Sequence, residues 1–335
     1  MKILLASDAW HPQINGVVRT LNRVREELEA RGHSFEVICP GQFRTFPCPS
    51  YPEIRLAVLP GIGMAKRIEA LGADAIHIAT EGPIGLAVRN YCVKRGLPFT
   101  TSYHTRFPEY LSARLPLPVS WGYAFMRWFH KPSRATMVAT DSMKRELEAE
   151  GFRNLADWTR GVDTALFRPA APKALDGLNL PRPVHLYVGR VAVEKNIRAF
   201  LELPLPGSKV VVGDGPQRAE LQAAFPEVYF AGAQQGEELA AHYASGDVFV
   251  FPSRTDTFGL VMLEALASGL PVAAYPVPGP LDIVDGAGVG ALNEDLRMAV
   301  DEAIKQPRSA CRSHALRYSW AACAEMFLQN LSPLR

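Results

Sequence analysis

Cysteine is scarce in this chain, and long apolar runs are missing altogether. Five cysteines (39, 48, 92, 311 and 323) are spread over 335 residues and none forms a C-x-x-C pair. That argues against a zinc site or a disulfide framework and for a reducing compartment, the cytoplasm. No apolar stretch approaches the roughly 18 residues that span a bilayer. The opening MKILLASD has too short an apolar part for a signal peptide and reads as a first strand. No G-x-G-x-x-G run follows it, so the dinucleotide fingerprint is absent from the place where it would be expected. No Lys/Arg stripe or recognition motif points to nucleic acid, nothing offers a clear metal cage, and no short internal repeat is visible.

What remains is a soluble, globular composition, 48% hydrophobic and 21% charged, in a chain long enough for two domains that each bury a core. The net charge of +2 hides an uneven spread. Residues 1–175 hold 23 Lys+Arg against 16 Asp+Glu, or +7, and the remainder carries −5. A mildly basic first half suits an anionic lipid surface or an acidic substrate, and equally an ordinary surface.

Strands alternate with helices in both halves, the pattern of parallel α/β layers. In the first half, strands are expected at 2–6, 35–39, 75–79, 98–102 and 137–140, with helices at 17–31, 83–95 and from about 142. In the second they are expected at 184–188, 209–212, 228–231, 248–251 and 272–274. A Pro/Ala/Gly-rich stretch near 168–183 breaks the alternation. The division expected is 1–169, a linker at 170–183, 184–308, and a C-terminal helical segment at 309–335 that packs back toward the first domain. The architecture is two Rossmann-like, doubly wound domains facing a central cleft, with ligand at the carboxyl ends of the strands.

The most informative run is Ser253 to Val272, SRTDTFGLVMLEALASGLPV. It places Asp256 just before a helix and Glu264 two turns inside it, among apolar residues. Burying an ionised Glu there is costly without partners, so it faces a cleft or meets a polar ligand. Glu264 could accept two hydroxyls, as a ribose offers. The N–H groups around Phe258, Gly259 and Leu260 could face a phosphate. Asp256 either contacts hydroxyls of a sugar or caps the helix, a role Asp favours. In the loop Gly189-Arg-Val-Ala-Val-Glu-Lys-Asn196, Arg190 and Lys195 form the cationic pair that a diphosphate leaving group needs, or are merely solvated. Val212-Gly-Asp-Gly-Pro216 is a third glycine-bearing loop, and a tight turn would account for it.

Taken together, GRVAVEKN, VGDGP, GDVFVFPSRTDTFGLVMLEALASGLPVAA and RGVDTALFRP resemble the retaining glycosyltransferases of family 4, which have the GT-B fold. SDAWHPQINGVVRTL, IATEGPIG and SYHTRFPEY resemble the branch that holds sulfoquinovosyl- and glucuronosyl-diacylglycerol synthases and GDP-mannose-dependent α-mannosyltransferases. The resemblance spans essentially the whole chain. It implies transfer of a hexose from a nucleoside-diphosphate sugar, UDP favoured, to a hydroxyl acceptor such as diacylglycerol, with retained configuration and no metal cofactor. The alternative donor is GDP-mannose, and a rival class is a non-catalytic nucleotide-sugar-binding protein. By the resemblance Arg190 and Lys195 bind the diphosphate, Gly16 lies on the loop that approaches it, and His104 serves the donor sugar and reacting centre. Asp256 stands where the wider family has Glu.

His104 is otherwise a hydrogen-bonded structural histidine, and Glu81 is either an acceptor contact or a loop carboxylate. Asp8 and His11 are open in the same way, and Arg106 is a further acceptor-side candidate. Between Arg106 and Arg134, Phe107, Tyr110, Trp121, Tyr123, Phe125, Trp128 and Phe129 are interleaved with five basic residues and one acidic. Core packing is expected for most, with 121–129 the exposed exception at a lipid surface. Peripheral attachment at the inner face of the membrane follows from that reading.

Overall fold

The computed structural model describes residues 1–13, 15–48, 51–112, 118–170, 173–256 and 258–334, with backbone alone at 51–53, 110 and 111. The chain divides into two compact units, Met1–Arg160 with Trp320–Arg335, and Gly161–Ser319.

In the first unit the run Lys2–Ala6 forms β1, and Ile3, Leu4, Leu5 and Ala6 are all fully buried. A continuous apolar strand of this kind belongs in a parallel sheet covered on both faces. Around it lie β2 (Ser34–Ile38), β5 (Ala75–Ile78), β6 (Thr100–Ser102), β7 (Ala135–Val138) and β8 (Leu155–Asp157), in the order β2-β1-β5-β6-β7-β8, all parallel. A separate antiparallel hairpin pairs β3 (Thr45–Cys48) with β4 (Tyr51–Ala57). The helix Gly16–Glu29 buries Val18, Leu21, Val24 and Leu28, and Asn15 caps it by accepting the Val18 N–H at 3.0 Å. On the same unit sits the helix Trp320–Asn330: Phe327 lies 4.8 Å from the His77 ring and 5.2 Å from Trp158, while Trp158 Nε1 donates to the Cys323 carbonyl at 3.1 Å.

The second unit repeats the design with β9 (Val184–Val188), β10 (Ser208–Val212), β11 (Tyr229–Gly232), β12 (Val248–Phe251), β13 (Val272–Ala274) and β14 (Gly290–Leu292). Their order is β11-β10-β9-β12-β13-β14, again all parallel. Val211, Val250, Phe200 and Ala299 fill the core on one side of this sheet. Arg312 fastens the unit's entry segment: its guanidinium donates to the carbonyls of Phe167 (2.7 Å), Ala267 (2.8 Å) and Thr164 (2.8 Å).

The alternation of strands and helices is the one the sequence pattern predicts, with four strands omitted. β3 carries Pro47 and β4 carries Pro52, and a proline demotes a run in any strand reading, while β8 and β14 are three-residue edge strands with too little pattern to register. The last segment is two helices rather than one, Arg308–Ala315 in the second unit and Trp320–Asn330 in the first. Buried Cys311 and Ala315 keep helical spacing, but the next buried residue, Trp320, comes five positions later and breaks the phase. Within the stretch expected as a linker, 171 and 172 lie outside the described residues. Leu175 is buried against the second unit, its N–H donating to Ser245 Oγ at 3.2 Å.

Candidate active site

The second unit's sheet reverses its winding between β9 and β12, and ligands in such folds bind where the loops leave these two strands. The loop after β9 carries Arg190 and Lys195; the loop after β12 carries Ser253 to Gly259. Close backbone contact holds the loop after β9 in place. Val191 N–H donates to the Asp214 carbonyl at 2.9 Å, and a Cβ on Gly213 (φ +147°) would stand 1.8 Å from the Gly189 carbonyl oxygen. The Gly-x-Gly run is therefore a packing device as well as a turn.

Lys195 ends a short 3-10 turn, Val193–Lys195, and Asn196 follows at φ 52°. Asn196 Nδ2 donates to the Pro252 carbonyl at 3.2 Å, and Thr255 Oγ1 to the Glu194 carbonyl at 3.2 Å. The two loops are thereby tied side by side. Across them Lys195 Nζ meets Asp256 Oδ1 at 2.5 Å. Arg190, half-buried, leaves the same strand end, and its carbonyl accepts the Tyr187 hydroxyl at 2.8 Å.

The helix Leu260–Ala267 has Gly259 at its N-cap, at φ 86°, with no side-chain cap. The capping role open to Asp256 is thus not the one it takes. It lies three residues short of the cap and pairs with Lys195 instead. A Cβ at Gly259 would come within 2.9 Å of both Met262 Cε and Phe251 Cζ, so that turn requires glycine. Phe258 is buried and Leu260 opens the helix half-exposed. Glu264 is buried and accepts the Tyr243 hydroxyl at 2.9 Å through Oε2. Tyr243, from the preceding helix Gly236–Ser245, is the partner that sequence reasoning did not supply.

In the first unit the candidates also gather at strand ends. Asp8, after β1, is a structural anchor. Oδ1 accepts the Ile84 N–H (2.9 Å), and Oδ2 accepts the Gly85 N–H (3.2 Å) and the Thr80 hydroxyl (2.9 Å), capping the helix Pro83–Arg95 from a distance. Burial raises its carboxyl above the usual value against the pull of those donors. His11 Nε2 lies 2.6 Å from Asn22 Nδ2, and Gly16 is the exposed first residue of its helix. Glu81 Oε1 lies 3.2 Å from Nε2 of the buried His130. Arg106 pairs with Glu146, and the Tyr123 hydroxyl donates to Glu109 Oε1 at 2.5 Å.

His104 closes a polar chain. Arg160 Nη2 lies 3.3 Å from His104 Nδ1. A guanidinium only donates, so Nδ1 accepts and Nε2 carries the proton toward Ser102 Oγ, 2.9 Å away. The same Oγ lies 3.1 Å from Nε2 of the buried His77. Burial first, then the charge of Arg160, then His77 hold the His104 imidazole well below its usual pKa. It is a neutral N–H donor at physiological pH. Arg160 itself is pushed down to about 10 by burial. Neither Arg160 nor Ser102 was singled out from the sequence, although both lie within motifs, RGVDT and SYHTR.

His77 gives this chain a measurable pH signature. Burial and Arg160 lower it to about 3, from 6.5. Between those values the unfolded chain binds a proton that the folded chain refuses, so stability is complete above pH 6.5 and falls as pH drops toward 3. The slope from this one group approaches about 1.4 kcal/mol per pH unit. Urea titrations at several pH values should show it in the wild type and not in His77→Gln. Equal slopes in the two proteins would remove His77 as its source.

The aromatic segment splits by face. In the helix Val119–His130, Tyr123 and Phe129 are buried, whereas Trp121 is 67% and Trp128 49% exposed. Arg89 stacks on Trp128 at 3.8 Å. The side chain of Tyr110 lies outside the described residues. Among the described residues no group of three or more His, Cys, Asp or Glu could hold a metal ion, and no helix is long and apolar enough to cross a membrane.

Two family models match the chain, one described as Glycosyltransferase Family 4 over residues 14–166 and one as Glycosyl transferases group 1 over 182–306. A GDP-mannose-dependent alpha-mannosyltransferase of Mycobacterium tuberculosis is 30% identical over 100% of this chain and 97% of its own length. The chain belongs to glycosyltransferase family 4. Sulfoquinovosyl transferase SQD2 of Arabidopsis thaliana is 33% identical over 72% of this chain and 50% of its own length. An alpha-monoglucosyldiacylglycerol synthase of Streptococcus pneumoniae is 26% identical over 91% of this chain and 78% of its own. Among solved structures, the sucrose-phosphate synthase of Thermosynechococcus elongatus superposes with a TM-score of 0.77 at 21% identity, covering 98% and 97% of the two chains. Anabaena HepE in complex with UDP and glucose gives 0.72 at 15% identity, covering 98% of each chain. These glycosyltransferase neighbours share the GT-B fold, and the two parallel-sheet Rossmann-like units of this family 4 protein match it.

Proposed function

We propose that this glycosyltransferase moves a hexose, with retained configuration, from a nucleoside-diphosphate sugar to a hydroxyl borne by a membrane lipid. The observation that carries this reading is the cluster at the β9/β12 switch point. There Arg190 and Lys195 offer phosphate-neutralising charge, and the N-terminus around Phe258, Gly259 and Leu260 offers N–H groups. Asp256 and Glu264 offer acceptors for sugar and ribose hydroxyls. As the sugar–phosphate bond breaks, the cations stabilise the diphosphate while its oxygen takes the proton of an acceptor arriving on the same face. This assigns the leaving group to side chains, with no metal ion required. In the same reading the roles proposed for the first unit are a diphosphate contact for Gly16, a donor-sugar contact for His104, and acceptor contacts for Glu81 and Arg106. The exposed face of Trp121 and Trp128, flanked by Arg127 and Lys131, supports peripheral attachment at the inner membrane surface.

The full-length mycobacterial relative favours GDP-mannose as donor. A UDP-sugar is the second reading, carried by the likeness to SQD2 and the diacylglycerol synthase. Thermal shift across GDP- and UDP-sugars decides between them. The true donor at 100 times its Kd should stabilise the protein by about 2.7 kcal/mol. Transfer to diacylglycerol or glycolipid vesicles, in the presence of a chelator, should then yield the α-product. Absence of any shift and any transfer would defeat the proposal. Binding without turnover on any acceptor would leave a nucleotide-sugar-binding protein.

A further inference from the structure

The proposed donor site holds an internal competitor for its own ligand. Lys195 Nζ is 2.5 Å from Asp256 Oδ1, and the two side chains are only 25% and 22% exposed. The other carboxylate oxygen, Oδ2, is buried without a hydrogen-bond partner. The pair does not depend on two long side chains meeting by chance. The bonds from Asn196 to Pro252 and from Thr255 to Glu194 bring its two loops together.

The consequence rests on the donor reading above. A diphosphate cannot use the Lys195 ammonium fully without taking it from Asp256. The displaced carboxylate then stands beside phosphate oxygens of the same sign, in a half-buried setting where like charges repel strongly. An intact nucleotide sugar relieves this, because a sugar hydroxyl can donate to Asp256 Oδ1 in place of the ammonium. The spent nucleotide brings the same phosphates, one more ionisable oxygen where the sugar was attached, and no hydroxyl for Asp256.

We propose that Asp256 discriminates loaded donor from spent nucleoside diphosphate. Once the sugar has left, the carboxylate reclaims Lys195 and weakens the hold on the product. Asp256 is then both a sugar contact and a release element, and removing its charge should strengthen product binding while harming transfer.

The test is isothermal titration of the full chain with GDP, UDP and the corresponding nucleotide sugars, for wild type, Asp256→Asn, Asp256→Ser, Lys195→Ala and the Lys195→Ala/Asp256→Asn double variant. Asp256→Asn and Asp256→Ser should bind the nucleoside diphosphate about tenfold tighter, a step of about 1.4 kcal/mol. They should show no comparable gain for the nucleotide sugar, and product inhibition of transfer should deepen to match. In the Lys195→Ala background the gain should be smaller, because only the like-charge repulsion is left to relieve. Unchanged or weaker nucleotide binding in both Asp256 variants overturns the inference, as does a gain undiminished without Lys195. Wild type that binds neither nucleotide nor nucleotide sugar would overturn the donor reading and this inference together. Wild type that binds both, with no gain on removing Asp256, overturns this inference alone.

Discussion

Lys195→Ala is expected to lose roughly 10- to 150-fold in kcat/KM for sugar transfer while keeping its fold. The range corresponds to about 1.5–3 kcal/mol for one charge-assisted contact felt in the transition state. Two features of the site argue that stability will hardly change. The side chains of Lys195 and Asp256 are 25% and 22% exposed, so water can take the place of the ammonium at Oδ1, while Oδ2 stays buried as it is in the wild type. The 3-10 turn that carries Lys195 is held by backbone and Asn196 contacts rather than by the lysine side chain. The kinetic signature should therefore separate from the structural one. Because the lysine neutralises charge that grows as the diphosphate departs, the larger part of the loss should fall on kcat. A variant with wild-type kcat/KM would remove Lys195 from the diphosphate site. A variant with a depressed melting temperature would show that the Lys195–Asp256 pair is a structural tie. Lys195→Arg, which keeps the charge and changes its shape, should recover part of the activity.

What was legible beforehand differs between the candidate residues of the two units. In the second unit, Arg190, Lys195, Asp256 and Glu264 all carry their signal in local sequence. They are charged residues in short loops after strands, or in an apolar helix where a carboxylate is conspicuous. The sheet order then brings the loops after β9 and β12 side by side. The partner of Glu264 was not legible, since Tyr243 sits 21 residues away on another helix and nothing in its own surroundings marks it. The direct pairing of Lys195 with Asp256, 61 residues apart, was hidden for the same reason.

The first unit was read less well because its polar residues are defined by long-range partners. Asp8 reads in sequence as either a site residue or a loop acid, yet it accepts two N–H groups from a helix start 76 and 77 residues on. His104 could be named, but its tautomer depends on Arg160, 56 residues away. Periodicity finds strands and amphipathic helices. It is silent on which buried polar atoms meet across a sheet, and those meetings set the protonation of this site.

The largest stability effect should follow Phe327→Ala, a substitution near the chain's end that loosens the first unit. Phe327 is fully buried, 4.8 Å from His77, 5.2 Å from Trp158 and 6.5 Å from Phe35. Removing a fully buried phenyl ring typically costs about 3–5 kcal/mol, lost transfer energy plus the cavity left behind. In a two-unit chain a single unfolding free energy is poorly defined, but this sequence provides a local probe. All five tryptophans, at 10, 121, 128, 158 and 320, lie in the first unit. Tryptophan fluorescence in urea should therefore show an earlier transition for that unit, while circular dichroism, which sees both, should resolve a second transition near its wild-type midpoint. The ring also packs against His77, whose Nε2 shares Ser102 Oγ with His104. Below the new transition, the variant should therefore lose some transfer activity through a histidine it does not touch. A fluorescence transition displaced by less than about 1 kcal/mol would mean that the site collapses around the missing ring, and that the C-terminal helix is held to its unit chiefly by contacts other than Phe327.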